Sequence, residues 1–424
     1  MSVLTFTGYV AVELARTISS TDFVKALPAT LIYPAAAVAI YFAMHIALRF
    51  LAPLADPLLL PIVAALTSVG LVMINRLDQK ASHVQLIWLL VGALGFILVL
   101  IFMRNYEWLA SYKYSIGVLA LVFLAIPMVF GTEVNGAKLW LHIGPLHFQP
   151  SEIAKILLVI FLAAFFAEKH ELLSISTHRV LGINVPELKY FVPLLIMWGV
   201  SILMMIFQKD LGSSLLFFGI FICMLFVATG RKSYVFVGVA MFVLGAFICY
   251  LAFAHVQLRV LTWLHPLDPA TLPNKSYQIS QSLFALSAGG LSGSGLGLGH
   301  PLFIPSVTTD TIFAAIGEEL GLFGAVSVIV MYILFVARGL KLALTQRDDL
   351  SKLLTVGLIS VVAIQSFIIM GGVTRLIPLT GITLPFVSYG GSSLLANFIL
   401  LGLILVISHR GASTNVASIK QARR

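Results

Sequence analysis

The chain has 424 residues, of which 60% are hydrophobic and only 10% are charged, and its mean hydropathy is +1.04. A soluble domain carries nearer a quarter charged residues, so these totals exclude a soluble globular protein and predict a polytopic membrane protein. The net charge of +9 fits Lys- and Arg-rich cytoplasmic loops better than a nucleic-acid partner.

Cys223 and Cys249 both lie in apolar runs, which argues against a disulfide framework, a metal knuckle or a redox motif. No cleavable signal peptide is expected. Residues 3–14 are too short, carry Glu13 and follow no basic stretch.

Crossing the hydrocarbon core takes about 20 apolar residues. By that measure the chain reads as eleven spans, at 28–48, 57–75, 85–103, 114–131, 151–167, 190–207, 211–229, 233–254, 312–337, 353–373 and 385–408. Residues 1–24 form either a twelfth, short span or a surface segment, and Glu13, Arg16 and Asp22 argue against its full burial. With the C-terminus cytoplasmic, the excess of Lys and Arg falls inside. Loops 168–189 and 338–352 are then cytoplasmic, and loops 132–150, 255–310 and 374–384 face out. Loop 132–150 has Gly, Asn and Pro turn signals and an interfacial mix of aromatic and apolar residues.

The long outer loop and the span after it hold the densest polar chemistry. Residues 276–321 gather Gln278, Gln281, Ser282, Asp310, Glu318 and Glu319 around a glycine-rich middle. The loop is too apolar for disorder. A dip of its middle back into the protein is expected, because irregular backbone is tolerated at membrane depth where protein shields it.

Asp310 stands at the outer end of the 312–337 span. Thr308, Thr309 and Asp310 all suit a helix N-cap. A carboxylate there, facing the loop at the lipid–water boundary, equally suits a general base acting on a lipid-borne substrate. Glu152 and Lys155 are three residues apart and share a helix face. They read either as an internal ion pair that fixes packing or as an ammonium, held by its carboxylate, that meets an anion. One of the adjacent Glu318 and Glu319 should face the protein interior, for a structural ion pair or for catalysis.

Asp210, in QKDLGSS, begins a span and reads first as its cap. Arg259 reads as a snorkelling surface residue or as a phosphate ligand. The run Gly293 to Gly299 lacks the lysine and preceding strand of a phosphate loop. His142, His147, His265 and His300 lack a zinc-site spacing.

In order along the chain stand NGAKLWL at 135–141, QPSEIAK at 149–155, DLGSSL at 210–215 and RVLTWLHPLDP at 259–269. SYQISQSLFALSAGGLSGSGLG at 276–297, TDTIFAAIGEELG at 309–321 and IPLTGITLPFVSYGGSSL at 377–394 follow. Together these motifs resemble the SEDS family of shape, elongation, division and sporulation proteins, across roughly residues 57–410. Within that family the chain looks more like RodA than like FtsW. It departs from the usual pattern at Lys209, where proline is common, at Ser276, where glycine is frequent, and at Ile369, where many members carry asparagine.

The resemblance implies an all-α polytopic membrane protein: a bundle of about ten core helices at 57–410 with a large extracytoplasmic loop. One or two extra helices lie in residues 1–56, and residues 411–424 form a basic cytoplasmic tail. It further implies a peptidoglycan glycosyltransferase that polymerises lipid II at the outer face of a bacterial plasma membrane, in elongation or division. By motif match Asp310 would be the catalytic aspartate, with Glu152 and Lys155 as the family's Glu–Lys pair. Arg259, Gln278, Gln281, Ser282, Asp210, Glu319 and Ser388 would contact substrate. A divalent cation, Mg or Mn, could assist at the pyrophosphate, and no other cofactor is implied. The implied partner is a class B penicillin-binding protein, a transpeptidase. A lipid II flippase and a non-catalytic scaffold that activates the transpeptidase are the competing readings.

Overall fold

The computed structural model describes residues 2–17, 20–134, 137–143, 146–174, 178–180, 183–185, 199, 203, 210–268 and 276–422. Among these, nine helices are long and apolar enough to cross a membrane. The predicted helical membrane architecture is therefore what the chain adopts. Of the span expected at 190–207 only residues 199 and 203 are described, both helical, and the one at 151–167 is helical as part of a longer helix.

The chain divides into two compact units. The first unit comprises residues 1–100, 253–335 and 365–402. It begins with α1 (Ser2–Arg16), α2 (Ser20–Leu51), α3 (Leu59–Leu77) and the larger part of α4 (Gln79–Phe102). The second comprises residues 101–252, 336–364 and 403–424. It holds the short α5 (Trp108–Ser111), α6 (Lys113–Phe130), α7 (Ser151–Ser174), α8 (Leu211–Thr229) and α9 (Lys232–Ala252). Later come α10 (Ala254–Leu264), α11 (Tyr277–Gly289), α12 (Ile312–Leu344), α13 (Asp349–Val373) and α14 (Gly391–Ala422).

α1, at 15 residues, is not among the nine helices long and apolar enough to cross a membrane. It packs on α2 and α3 through a stripe of Thr5, Tyr9, Val12 and Glu13, all buried. Thr5 Oγ1 donates to Ser68 Oγ at 3.0 Å, and the Arg16 guanidinium caps the carbonyls of Asn75 and Arg76 at the end of α3. Of the charges that argued against burial, Arg16 is accommodated in this way: it satisfies carbonyls that a helix C-terminus leaves without partners.

In the second unit α6, α7 and α8 pack side by side. Phe161, Phe165, Phe166 and Phe221 meet there with ring centroids 5.9 to 6.5 Å apart, a spacing typical of offset and edge contacts. Both ends of α8 are written locally. Asp210 Oδ1 accepts from the Ser213 N–H at 3.0 Å, and Gly230 closes the helix in the left-handed region at φ 68°. α9 differs from its neighbours, with only 6% of its apolar window buried within the protein against 89% for α14.

Three features depart from the expected helices and loops. Loop 132–150 carries a small antiparallel sheet, β1 (Thr132–Val134), β2 (Ala137–Ile143) and β3 (Leu146–Phe148), in that order. β2 alternates Leu139, Leu141 and Ile143 with Lys138, Trp140 and His142, the period of a strand. A second hairpin, β4 (His178–Val180) with β5 (Ile183–Val185), lies in the loop expected at 168–189. α14 continues well past residue 410, so most of the expected tail is helical.

A fourth departure concerns the long loop. The span expected as one helix at 312–337 is broken at Gly321, whose φ is 66° and ψ −166°. The break frees backbone groups, and the glycine-rich segment takes them up. Ser294 and Gly295 donate to the carbonyls of Glu318 and Glu319, while Leu322 and Phe323 donate to those of Gly290 and Leu291. A Cβ at Gly321 would lie 2.2 Å from the Gly293 nitrogen. The glycines therefore serve close backbone approach, and the middle of the loop folds against α12 as anticipated.

Candidate active site

Asp310 precedes α12 in a tight turn over residues 305–311. Ser306 adopts φ 55°, an uncommon conformation for a residue with a side chain. Its carbonyl accepts from the Thr309 and Thr311 amides at 3.0 and 3.4 Å. Thr311 Oγ1 adds a bond to the Pro305 carbonyl at 3.0 Å. The Asp310 side chain is half-buried, and Oδ2 faces Gly381, where a Cβ would stand 3.5 Å from it.

Gly381 belongs to the segment 374–390, which grips this turn from the other side. Ser388 Oγ donates to the Thr309 carbonyl at 2.5 Å, and the Tyr389 amide donates to the Thr308 carbonyl at 2.8 Å. Ser388 Oγ also accepts from the Leu384 amide at 2.9 Å, bracing the segment itself. Two non-glycine residues of the segment, Arg375 and Phe386, have φ of 63° and 66°. Residues held in such conformations concentrate at functional sites, where surrounding structure must enforce them. Burial pushes the Tyr389 phenol above its usual range, and the Asp78 carboxylate adds to the shift.

Several sequence candidates converge here. Gln278 donates to the Pro305 carbonyl at 3.3 Å, so α11 holds the start of the Asp310 turn. Gln281 and Ser282 share its helical face; Gln281 is half-buried, and the buried Ser282 hydroxyl donates to the Gln278 carbonyl at 2.8 Å. Arg259, on α10, donates to the Leu379 carbonyl at 3.0 Å. Arg375 caps the carbonyls of Trp263 and Leu264 at the end of the same helix.

Glu319 has a different setting. Its side chain is 0% exposed, with Oε1 3.0 Å from Arg76 Nε and Oε2 accepting the Gly297 amide at 2.9 Å. Arg76 also donates to the Gly299 carbonyl, and Glu318 Oε1 accepts the His300 amide at 2.7 Å. Both acids pin the glycine-rich segment.

The remaining candidates lie in the second unit. The Lys155 ammonium is 2.5 Å from Glu152 Oε2, and their side chains are 2% and 11% exposed. Asp210 engages Ser213 with both carboxylate oxygens, as the cap of α8. Among the described residues no three His, Cys, Asp or Glu gather into a group that could hold a metal ion.

Sequence reasoning passed over Gln85, Gln365 and Arg76. Each touches the segments just described: Gln85 bonds Ser388 and Gly390, Gln365 donates to the Thr383 carbonyl, and Arg76 holds Glu319. A glutamine inside a long apolar span is the signal that could have found the first two, since buried amides need partners.

The motif order now has an independent counterpart. The family of cell cycle proteins FtsW, RodA and SpoVE matches residues 56–413. The chain belongs to this family.

The peptidoglycan glycosyltransferase RodA of Mycobacterium tuberculosis is 45% identical over 391 residues, covering 89% of this chain and 83% of that protein. The probable peptidoglycan glycosyltransferase FtsW of Geobacter metallireducens is 32% identical over 375 residues, covering 85% of this chain and 96% of that one. Identity is thus higher to this RodA than to this FtsW, as the motifs suggested.

Among solved structures, the chain is similar to one described under the structural coordination of polymerization and crosslinking by a peptidoglycan synthase complex. The TM-score is 0.71 at 28% identity, covering 84% of this chain and 98% of that one. The rod shape determining protein RodA of Thermus thermophilus gives a TM-score of 0.60 at 26% identity, covering 84% and 97%. Both coverages are nearly complete for the solved chains. α1 and all of α2 precede the residues that the FtsW/RodA/SpoVE family matches.

Proposed function

We propose that this FtsW/RodA/SpoVE protein is a peptidoglycan glycosyltransferase that joins lipid II into glycan strands, with Asp310 as the general base. The relatives named peptidoglycan glycosyltransferase support the activity. The observation that carries the role of Asp310 is the double grip on its turn, by Ser388 and Tyr389 on one side and Gln278 on the other. A plain helix cap would need no such clasp.

In the reaction a sugar hydroxyl of the acceptor attacks the anomeric carbon of the donor. The new C–O bond forms as the bond to undecaprenyl pyrophosphate breaks. The hydroxyl proton passes to the Asp310 carboxylate, and the leaving group departs as the pyrophosphate anion. A hydroxyl is a weak nucleophile, so a base positioned to take its proton contributes typically about 10²–10⁴-fold. One displacement inverts the anomeric centre and requires no covalent enzyme intermediate.

Lys155, oriented by Glu152, and Arg259 are the cations we assign to the growing pyrophosphate charge. Gln278 and Gln281 complete the substrate-facing set we propose, whereas the buried Ser282, Glu319, Ser388 and Asp210 side chains are engaged with neighbouring residues and hold their segments in place. A divalent cation, Mg or Mn, would be held chiefly by the pyrophosphate itself. Mg is usually bound by one or two carboxylates together with substrate phosphates.

The active side faces outward across a bacterial plasma membrane in this reading, which the excess of basic residues in the opposite loops supports. The partner is a class B penicillin-binding protein whose transpeptidase crosslinks the strands. The likeness to a chain of a complex that coordinates polymerization with crosslinking supports that assignment.

The test is polymerisation of fluorescent lipid II by the purified chain, read as glycan strands on a gel, with and without the transpeptidase. Asp310→Asn should abolish strand synthesis while folding persists, since asparagine caps helices as well as aspartate does. Near-normal synthesis by that variant would overturn the role given to Asp310.

A further inference from the structure

Gln85 lies in the second turn of α4, after Lys80, Ser82 and His83 and at the head of the helix's apolar run, and is 1% exposed. Its amide uses both ends on one short piece of backbone. Nε2 donates to the Ser388 carbonyl at 3.3 Å, and Oε1 accepts from the Gly390 amide at 3.2 Å. One turn further along α4, Trp88 lies so close to Gly391 that a Cβ there would stand 2.0 Å from the indole. α4 is therefore seated directly on the chain that runs from the Asp310 clasp into α14.

That piece of backbone is the part that grips Asp310. Ser388 and Tyr389 bond the carbonyls of Thr309 and Thr308, one and two residues before the aspartate. The segment has no regular secondary structure between Val373 and Gly391, and Phe386 is held at φ 66° within it. Irregular buried backbone needs partners from outside itself. Ser388 and Gly390 obtain theirs from a side chain more than 300 residues away in sequence. The other arm of the segment is tied in the same way, by Gln365 Nε2 donating to the Thr383 carbonyl at 2.8 Å.

We infer that Gln85 is a positioning residue for the transfer reaction: its amide locks the 388–390 backbone, and through Ser388 and Tyr389 fixes the turn that presents Asp310. The inference rests on the proposed role of Asp310 as the base. Gln85 has no contact with the reacting atoms in this scheme. Its effect is on where the carboxylate stands, and a displacement of about 1 Å can cost on the order of 10²-fold in rate.

The test compares wild type, Gln85→Met and Asp310→Asn as full chains, with kcat and KM for fluorescent lipid II and thermal midpoints in detergent. Methionine fills the same volume but bonds neither Ser388 nor Gly390. Gln85→Met should lower kcat on the order of 10²-fold and leave KM within about 2-fold, the pattern of an interaction that matters in the transition state. If methionine prevents folding, Gln85→Asn keeps a polar amide but is one methylene too short to span both groups, and the same split in kcat is expected. An unchanged kcat in a folded Gln85 variant, with Asp310→Asn inactive, overturns the role of Gln85 alone. A raised KM with kcat intact overturns it too, because that pattern belongs to substrate binding. An active Asp310→Asn overturns the base itself and, with it, the route through Gln85.

Discussion

The hydroxyl of Ser388 donates to the carbonyl of Thr309 at 2.5 Å, one residue before Asp310, across 79 positions of sequence. The same oxygen accepts the Leu384 amide, so one side chain joins the 374–390 segment to the turn that carries the carboxylate. Ser388→Ala removes both bonds at a site that is 4% exposed. Leaving buried partners unsatisfied costs about 1–3 kcal/mol each. The expected outcome is a lower thermal midpoint together with strand synthesis reduced more than donor binding. Ser388→Thr keeps the hydroxyl and should recover part of the activity. A Ser388→Ala protein with wild-type strand synthesis would argue that the clasp is not needed for turnover.

The Glu152–Lys155 pair separates into a structural and a catalytic case. Either single neutral substitution leaves one buried charge without its partner, at a cost of about 3–5 kcal/mol. Glu152→Gln with Lys155→Met removes both charges and should restore folding, checked by the thermal midpoint. Lipid II polymerisation by that double variant then decides. Loss of activity in a stable protein is the expected result, following from the role proposed for the ammonium at the departing pyrophosphate. Full activity would reduce the pair to a packing element.

Arg76 and Glu319 hold the glycine-rich segment, and their roles are expected to be unequal. Glu319→Gln keeps an acceptor for the Gly297 amide but lets the Arg76 charge lose its partner. Arg76→Met leaves the fully buried Glu319 carboxylate facing only an amide. The second change should destabilise more, by about 3–5 kcal/mol, and make residues 290–300 more open to proteolysis. Equal thermal midpoints for the two variants would contradict this ranking.

Gly321→Ala should be poorly tolerated. The residue has φ 66°, and an added Cβ would fall 2.2 Å from the Gly293 nitrogen and 2.5 Å from the Leu291 carbonyl. Both contacts are backbone, which cannot swing aside as a side chain would. The cost should exceed the roughly 1–2 kcal/mol of placing a side-chain residue in the left-handed region. Reduced expression and a lower thermal midpoint are the measurements. A variant as stable as wild type would mean that the break in α12 can shift to another residue.

The chain's composition and run lengths alone determined that it is a helical membrane protein, because hydrocarbon leaves a backbone few alternatives to the helix. They placed α3, α6, α8 and α9 within two residues at both ends but missed an end of α2, α4, α7, α12 and α14 by six residues or more, and the motif order named the family. Local sequence also fixed the caps: Asp210 before LGSSL and Gly230 after FVAT act through neighbours three or four residues away. Asp310 was legible as a carboxylate at a helix start. Its clasp was not. Thr309 and Ser388, Gln278 and Pro305, Gln85 and Gly390 are bonded across 79, 27 and 305 positions, and no periodicity encodes which distant backbone a buried amide will find. The loop's apolar composition predicts that its middle dips back into the protein, yet only the break at Gly321 shows which backbone it meets. That outcome depends on unpaired amides and carbonyls finding each other in an apolar surrounding, a condition set by the packed chain as a whole.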